Sequence, residues 1–275
     1  MGILEDSTER VLGDFARATG QLNLPYLVVG AGARVLLSME KDFSPGRLTT
    51  DWDLAMPCPD WPTFNSLRDS LTSGSAAPFE TTGAIHRLRH RATDVLVDLI
   101  PFGGIESSPG VLIWPSGEEF DVSGFSAALQ EGEELDLKHG TVLVTSFPFQ
   151  VILKAQAYLQ RREQGMTHDV ADLVWVLRNY GDGKEKRIFG EAYLAITQHG
   201  LEPDAWGALL LGLDLRGMGA ELLTALRVVL YELKDEESKA CSDALGGGFL
   251  LDREAKIQSV QTLAIAASLG LEQAQ

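Results

Sequence analysis

Long hydrophobic runs and paired cysteines are both missing from this sequence, and each absence excludes a class of protein. No apolar stretch approaches the roughly 20 residues of a membrane-spanning helix, and the N-terminus lacks the basic start and apolar core of a signal peptide. The two cysteines, Cys58 and Cys241, stand far apart, which argues against a zinc site and a disulfide framework. We therefore expect no membrane partner and a location in the reducing cytoplasm.

Positive charge is also scarce. Lys and Arg number 23 against 39 Asp and Glu, and the formal net charge of -16 repels nucleic acids on average. Residues 86–91 are a local exception, because side chains alternate along a strand and Arg87, Arg89 and Arg91 therefore share one face. Such a face suits contact with the backbone phosphates of an RNA. The alternative is a solvated edge strand whose charges prevent aggregation.

The pattern of apolar residues changes near residue 147. Strands and helices are mixed before it, and helices dominate after it. With 275 residues and 45% hydrophobic content, the chain is long enough for one large core or two small ones. We predict an α+β fold, with a mixed β-sheet and flanking helices in residues 1–147 and a helical bundle in residues 148–275.

The individual elements are predicted from periodicity, turn residues and caps. Ala92-Thr93 is the expected turn of a hairpin, and Thr167 is the expected N-cap of a helix. We predict helices at residues 3–20, 31–40, 61–73, 149–162, 168–180, 220–233 and 252–269. We predict strands at residues 26–30, 47–56, 79–91, 94–102 and 142–144, with loops and short strands at residues 103–126.

A glycine turn joins the first predicted strand to a helix. The segment is Val29-Gly30-Ala31-Gly32, and acids follow about twenty residues later, as in a dinucleotide-binding fingerprint. Val35 stands where that fingerprint needs a small residue, and a dinucleotide site leaves the paired acids unexplained. Two interpretations remain: a tight turn that glycine permits, and a helix N-terminus whose backbone N–H groups bind nucleotide phosphates.

Three aspartates lie in predicted strands, where charge is costly unless it is compensated. Asp51 and Asp53 are two residues apart and face the same side, and Asp98 lies in an apolar run of another strand. A shared magnesium or manganese ion accounts for all three carboxylates, since hard oxygen ligands suit these cations. In that case Asp98 is the expected base for an acceptor hydroxyl. The alternative is a set of separate contacts: Asp51 as a strand cap, Asp53 with Arg47, and Asp98 with Arg87 or Arg89.

The predicted helices of the second half carry another group of charges. Lys154 and Arg161 are seven residues apart and share one helix face, while Asp169 and Asp172, three apart, share a face of the next helix. Cations so placed can hold phosphate groups. The alternative for them is a solvated helix face, and Asp169 is favoured in a first helical turn by the helix dipole in any case.

These motifs resemble the nucleotidyltransferase superfamily of the DNA polymerase β type. The similar residues are Gly30-Ala31 after a strand, Arg47-x-Thr49-x-Asp51-x-Asp53, and Val97-Asp98-Leu99-Ile100-Pro101-Phe102-Gly103. Within it the chain most resembles the AbiEii/AbiGii toxin-like nucleotidyltransferases of bacterial toxin–antitoxin and phage-defence systems. The second-half similarities are Lys154, Arg161-Arg162, His168-Asp169-x-x-Asp172-Leu173 and Leu177-Arg178-x-Tyr180. The resemblance spans residues 24–181 and departs from the superfamily at Ala31, where Gly or Ser is usual.

The resemblance implies magnesium-dependent transfer of an NMP from an NTP to an acceptor hydroxyl of tRNA or a protein, with a cognate antitoxin as a partner. It implies catalytic roles for Asp51, Asp53, Asp98, Lys154 and Asp172, the three strand aspartates being the metal ligands. It implies nucleotide-binding roles for Gly30, Ala31, Arg34, Arg47, Thr49, Lys154, Arg161 and Asp169. Two alternatives stay open: a small-molecule, antibiotic-type nucleotidyltransferase, and a non-catalytic nucleotide-binding module.

Overall fold

The computed structural model describes residues 2–41, 49–138, 140–246 and 252–273 of the chain. Its residue contacts divide the chain into two compact units, Met1–Ser146 and Phe147–Gln275. We call them the N-terminal unit and the helical unit. Within the described ranges, no helix is both long enough and apolar enough to cross a membrane.

A mixed sheet of seven strands forms the centre of the N-terminal unit. The strands of this unit are β1 Leu27–Val29, β2 Asp51–Pro57, β3 Phe79–Thr81, β4 Arg87–His90, β5 Leu96–Phe102, β6 Val111–Ile113, β7 Glu119–Asp121, β8 Glu133–Leu137 and β9 Gly140–Val144. The sheet order is β3-β4-β5-β2-β1-β9-β8, and β6 pairs with β7 in a separate hairpin. β2 and β5 are parallel neighbours, while β1 and β4 run antiparallel to them on either side.

The helices of the N-terminal unit are α1 Gly2–Leu22, α2 Gly30–Glu40, α3 Trp61–Thr72 and α4 Phe125–Gln130. α3 shows how the sequence sets such an element. The Asp60 carboxylate accepts a hydrogen bond from the Thr63 N–H at 2.8 Å, which caps the helix. Phe64, Leu67 and Leu71 then recur at helical spacing and are fully buried. A capped start and one apolar stripe therefore place α3 on the core.

The helical unit contains eight α-helices within its described residues. They are α5 Phe147–Arg161, α6 His168–Asn179, α7 Glu185–Ile188, α8 Tyr193–His199, α9 Trp206–Leu215, α10 Ala220–Leu233, α11 Lys239–Leu245 and α12 Arg253–Glu272. α5 packs on α6, and α9 packs on α12. α9 is apolar on nearly every side and most of its residues are buried, as expected for a helix at the centre of a bundle.

The predicted α+β class, with a mixed sheet, flanking helices and a helical second half, is confirmed. One local prediction is wrong. The single strand predicted over residues 79–91 is two strands, because the Thr82 hydroxyl accepts from the Ala84 N–H and donates to the Arg87 carbonyl, which folds a turn between them. Thr167 is the N-cap residue of α6, as predicted, although its side chain makes no capping hydrogen bond.

Candidate active site

The strand aspartates meet in a row that crosses the sheet. Asp98 of β5 lies opposite Asp53 of β2 on one side and opposite Arg87 of β4 on the other. Asp53 in turn lies opposite Val29, the last residue of β1. Residues paired across neighbouring strands project to the same face, and Asp51 shares it because it precedes Asp53 by two residues. The fold therefore brings together Asp51, Asp53 and Asp98, which we call the carboxylate cluster.

The glycine turn lies directly beside this cluster. Gly30 has φ 65°, a left-handed conformation that glycine adopts without steric cost. A Cβ at Gly30 would stand 2.2 Å from Asp53 Oδ2, and one at Gly32 would stand 2.6 Å from a ring carbon of Trp52. A larger residue at either position would therefore have to displace a β2 side chain. The first turn of α2 also has no side-chain cap at Val29, and its first residue, Gly30, lies beside the Asp53 carboxylate.

Arg87 holds Asp98 through two parallel hydrogen bonds. Arg87 Nε donates to Asp98 Oδ1 at 2.6 Å, and Nη2 donates to Oδ2 at 2.5 Å. The bond to Asp98 raises the pKa of Arg87 above its ordinary value, and the charges of Asp51 and Asp53 add to the effect. Arg87 therefore lies in the electrostatic field of the whole carboxylate cluster. Its pairing with Asp98 is the contact anticipated as the structural alternative for this aspartate.

The other predicted nucleotide-binding residues of the N-terminal unit have varied surroundings. Thr49 Oγ1 donates to Asp51 Oδ1 at 2.8 Å and to the Asp51 carbonyl at 3.0 Å, so the threonine positions an acid of the cluster. Arg34 is only 2% exposed and Ala31 only 8%, so neither presents a broad surface to solvent. Arg47 lies outside the described residues.

The four charged residues predicted for the helical unit form a group around two buried acids, which we call the helical ion cluster; its Arg161 side chain is 38% exposed. Lys154 Nζ lies 2.9 Å from Asp169 Oδ1 and 2.9 Å from Asp172 Oδ2, and Arg161 Nη2 lies 2.7 Å from Asp169 Oδ2. The side chains of Asp169 and Asp172 are 0% and 8% exposed, and that of Lys154 is 15% exposed. Lys154 and Arg161, the cations predicted to bind phosphates, are thus paired with the neighbouring acids.

The charges of the helical ion cluster reinforce one another despite burial. Burial by itself lowers the pKa of Lys154, but the fields of Asp169 and Asp172 outweigh it, and the pKa is raised. Burial raises the pKa of Asp169, but the fields of Lys154 and Arg161 outweigh that effect, and the pKa is lowered. Both groups are therefore held in their charged forms.

The arginines of β4 and its hairpin turn all have partners inside the N-terminal unit. Arg89 Nη1 lies 2.7 Å from Asp94 Oδ1, and Arg91 Nη1 lies 3.1 Å from Glu80 Oε2. These pairs are largely exposed, as in the solvated-edge alternative. Arg87 is not among the predicted site residues, although a hairpin centred on Ala92-Thr93 already places position 87 opposite position 98.

The fit of a divalent cation to the carboxylate cluster is incomplete. The donor type is right, since magnesium and manganese prefer carboxylate oxygens, and the three side chains share one face. Both oxygens of Asp98, however, accept hydrogen bonds from Arg87. Within the described part of the chain, no group of three or more His, Cys, Asp or Glu residues is arranged to hold a metal ion. As arranged, the cluster does not fit the predicted three-ligand site.

Comparisons with known proteins were made at the levels of family, sequence and structure. No family model matches the chain, and no curated protein matches it either. An antigenic nucleotidyltransferase-like protein from Paracoccidioides brasiliensis is similar in structure, with 20% identity, a TM-score of 0.44, and coverage of 87% of this chain and 93% of that one.

Two further solved structures are similar at lower scores. The antibiotic-resistance factor ANT(2'')-Ia has 13% identity and a TM-score of 0.39, with 71% of this chain and 98% of that chain covered. The cyclic dinucleotide synthase CdnE from Elizabethkingia meningoseptica, solved with GTP and Apcpp, has 12% identity and a TM-score of 0.25, with 90% and 88% covered. None of the three TM-scores reaches 0.5, so the function of the chain has to be inferred from its own residues.

Proposed function

We propose that this protein is a nucleotidyltransferase that moves an NMP from an NTP to an acceptor hydroxyl and releases pyrophosphate. The observation that carries the proposal is the carboxylate cluster beside the glycine turn. Asp53 and Asp98 pair in register on central strands, and the Gly30 backbone lies against the Asp53 carboxylate. A carboxylate pair, a third carboxylate on the neighbouring strand and a helix N-terminus are the parts that the resembled superfamily uses for this chemistry.

In the proposed reaction, the acceptor oxygen attacks the α-phosphorus of the NTP. A new P–O bond forms, the bond from the α-phosphorus to the pyrophosphate oxygen breaks, and the electron pair leaves with pyrophosphate. Asp98 takes the proton of the acceptor hydroxyl, which is work that general bases perform in transition states. The first N–H groups of α2, at Gly30 to Gly32, bind phosphate oxygens. Asp51, oriented by Thr49, and Asp53 complete the acidic side of the site.

Dependence on magnesium or manganese belongs to the same proposal. A divalent cation held by the carboxylate cluster would neutralise charge on the phosphates and on the acids. The predicted roles of Lys154, Arg161, Asp169 and Asp172 in the helical unit rest on the resemblance alone. For these four residues the structural alternative is specific, because each one has a partner within the helical ion cluster.

The acceptor and the biological setting are proposed from the resemblance. A tRNA or protein acceptor, a cognate antitoxin and a place in a toxin–antitoxin or phage-defence system follow from the likeness to AbiEii-type proteins. The net charge of -16 disfavours RNA, and Arg89 and Arg91 are engaged with acidic neighbours. A small-molecule acceptor is the alternative within the same chemistry.

A non-catalytic nucleotide-binding module is the second candidate. The specific observation in its favour is the bidentate Arg87–Asp98 pair, which engages the proposed base in a contact within the fold. Such a module binds NTP through the glycine turn and transfers nothing. Nucleotide binding is common to both candidates, so transfer has to be measured directly.

The deciding experiment is single-turnover transfer of label from each of four α-labelled NTPs, with magnesium or manganese, to total RNA and to cell extract. Asp98→Asn should lower transfer by about 100- to 10,000-fold, the usual contribution of a general base. Asp94→Asn is the matched control, because Asp94 lies on the same hairpin, pairs with Arg89, and has φ 62°, which Asn tolerates. Parent-like transfer by Asp98→Asn would remove Asp98 from the catalytic set. Binding without transfer of any NTP would favour the module.

A further inference from the structure

Arg87 occupies a particular place in the row of paired residues. It stands at the β4 end of the row, next to Asp98, and its guanidinium lies in the combined field of the three carboxylates. Its side chain is 36% exposed and that of Asp98 is 15% exposed. The guanidinium thus lies at the solvent-facing border of the cluster rather than in the core.

The Arg87 guanidinium compensates negative charge of the carboxylate cluster that a metal ion would otherwise compensate. Neighbouring carboxylates repel one another unless a cation compensates them. A guanidinium with two parallel N–H···O bonds is a strong and directional partner for a carboxylate. Since Arg87 engages both oxygens of Asp98, a metal ion that takes Asp98 as a ligand has to displace at least one of these bonds.

We infer that Arg87 is a built-in counter-ion of the carboxylate cluster, which competes with a divalent cation for Asp98 and sets the affinity of the cluster for that cation. The inference deepens the proposed function and rests on it for the identity of the cation, magnesium or manganese. It also accounts for the incomplete metal fit, because Arg87 engages both of the Asp98 oxygens that a cation would need. Divalent cation binding requires the pair to open.

The test is equilibrium binding of Mn²⁺ to the full-length protein without nucleotide, followed by the loss of the free-ion signal in electron paramagnetic resonance. Arg87→Met removes the guanidinium and keeps an unbranched side chain. It should bind Mn²⁺ about tenfold more tightly or better, since a hydrogen bond to a charged group is typically worth at least one tenfold step. Asp98→Asn in the Arg87→Met background should abolish this gain.

Arg89→Met is the matched control. Arg89 lies two residues from Arg87 on the same face of β4, but it pairs with Asp94 rather than Asp98. Its removal changes the net charge by the same amount, so it measures the general electrostatic effect, and its Mn²⁺ affinity should stay close to that of the parent. Equal affinities of the parent and Arg87→Met, or equal gains in both Met variants, would overturn the inference.

Folding is checked by circular dichroism for every variant. If Arg87→Met does not fold, Arg87→Lys decides the question, because lysine keeps the charge but cannot form the two parallel bonds. It should bind Mn²⁺ more tightly than the parent, and an unchanged affinity would overturn the inference. The outcome is independent of transfer: a gain in Mn²⁺ affinity without any label transfer would support the role of Arg87 and count against the proposed function.

Discussion

The two groups of charged residues differ in how their acids are compensated. In the helical ion cluster, the nearly inaccessible carboxylates of Asp169 and Asp172 contact Lys154, and Arg161 adds a second bond to Asp169. In the carboxylate cluster, the acids lie half-buried on strands, and the Arg87 side chain that holds Asp98 is 36% exposed. Arg161 is itself 38% exposed, so the difference lies in the acids: those of the helical ion cluster are enclosed by protein, and those of the carboxylate cluster border solvent.

Buried acids and solvent-bordering acids have different consequences: a ligand can reach only the second kind. A buried ion pair costs solvation on both sides, and the loss of one partner leaves an uncompensated charge in the interior. A half-exposed acid keeps contact with water and can exchange a protein partner for a ligand at a smaller cost. We therefore expect the helical ion cluster to act mainly on stability and the carboxylate cluster to act mainly on binding and chemistry.

The largest expected effect is the loss of stability when the helical ion cluster is disrupted. Lys154→Met leaves Asp169 and Asp172 without their shared ammonium, and it should lower the free energy of unfolding by about 3–5 kcal/mol. Arg87→Met, the corresponding change in the carboxylate cluster, should cost about 1 kcal/mol, since its pair is part-exposed. Urea denaturation measures both. Equal losses in the two variants would show that the helical ion cluster contributes no more to stability than the Arg87–Asp98 pair does.

The next effect concerns the backbone that supports the carboxylate cluster. Gly117→Ala, at φ 90° in open space, should cost about 1–2 kcal/mol for the left-handed conformation alone. Gly30→Ala should cost about 1–3 kcal/mol beyond that, because its Cβ overlaps the Asp53 carboxylate. Thermal and urea unfolding give the two values. Adding Asp53→Ala should recover the excess, and a Gly30→Ala loss no larger than that of Gly117→Ala would show that the contact is easily relieved.

A pH dependence should distinguish the helical ion cluster. The pKa of Asp169 is lowered in the folded state, because the fields of Lys154 and Arg161 outweigh its burial. Its contribution to stability is therefore present above its ordinary pKa of 3.8 and is lost as the pH falls through the lower folded value. The difference in unfolding free energy between the parent and Asp169→Asn should shrink below about pH 4. A difference that grows on acidification would reverse the assignment.

The smallest effect is expected at the exposed hairpin. Arg89→Met breaks an ion pair whose side chains are 42% and 79% exposed. Such exposed pairs contribute little because solvent and salt screen them, so the urea midpoint of the variant should match that of the parent at moderate salt. Urea denaturation again provides the measurement. A lower midpoint would show that Arg89 belongs to the structural charges of the unit.

Local features of the site could be predicted from the sequence. The Asp-x-Asp pattern placed Asp51 and Asp53 on one face of a strand, and the residues around Gly30 indicated a turn into a helix. The position of the Ala92-Thr93 turn also fixes the register of the hairpin, and this register pairs Arg87 with Asp98.

Long-range features could not be predicted in the same way. No local pattern states that β5 pairs with β2, which is the step that places Asp98 opposite Asp53. The split of residues 79–91 depends on the hydroxyl of Thr82, a single side-chain contact with no periodic signal. Spacing likewise placed Lys154 and Asp169 on helix faces, but their meeting depends on how α5 packs against α6.

The carboxylate cluster belongs to a row that crosses four strands, so it forms only when these strands pair in their native register. Arg87, Asp98, Asp53 and Val29 come from β4, β5, β2 and β1, and the row combines antiparallel and parallel pairings. A slip of one residue in any of these strands turns its side chain to the opposite face and dismantles the row. A ligand of the cluster would therefore recognise only chains with native strand alignment, and by mass action it would enrich them over misaligned ones.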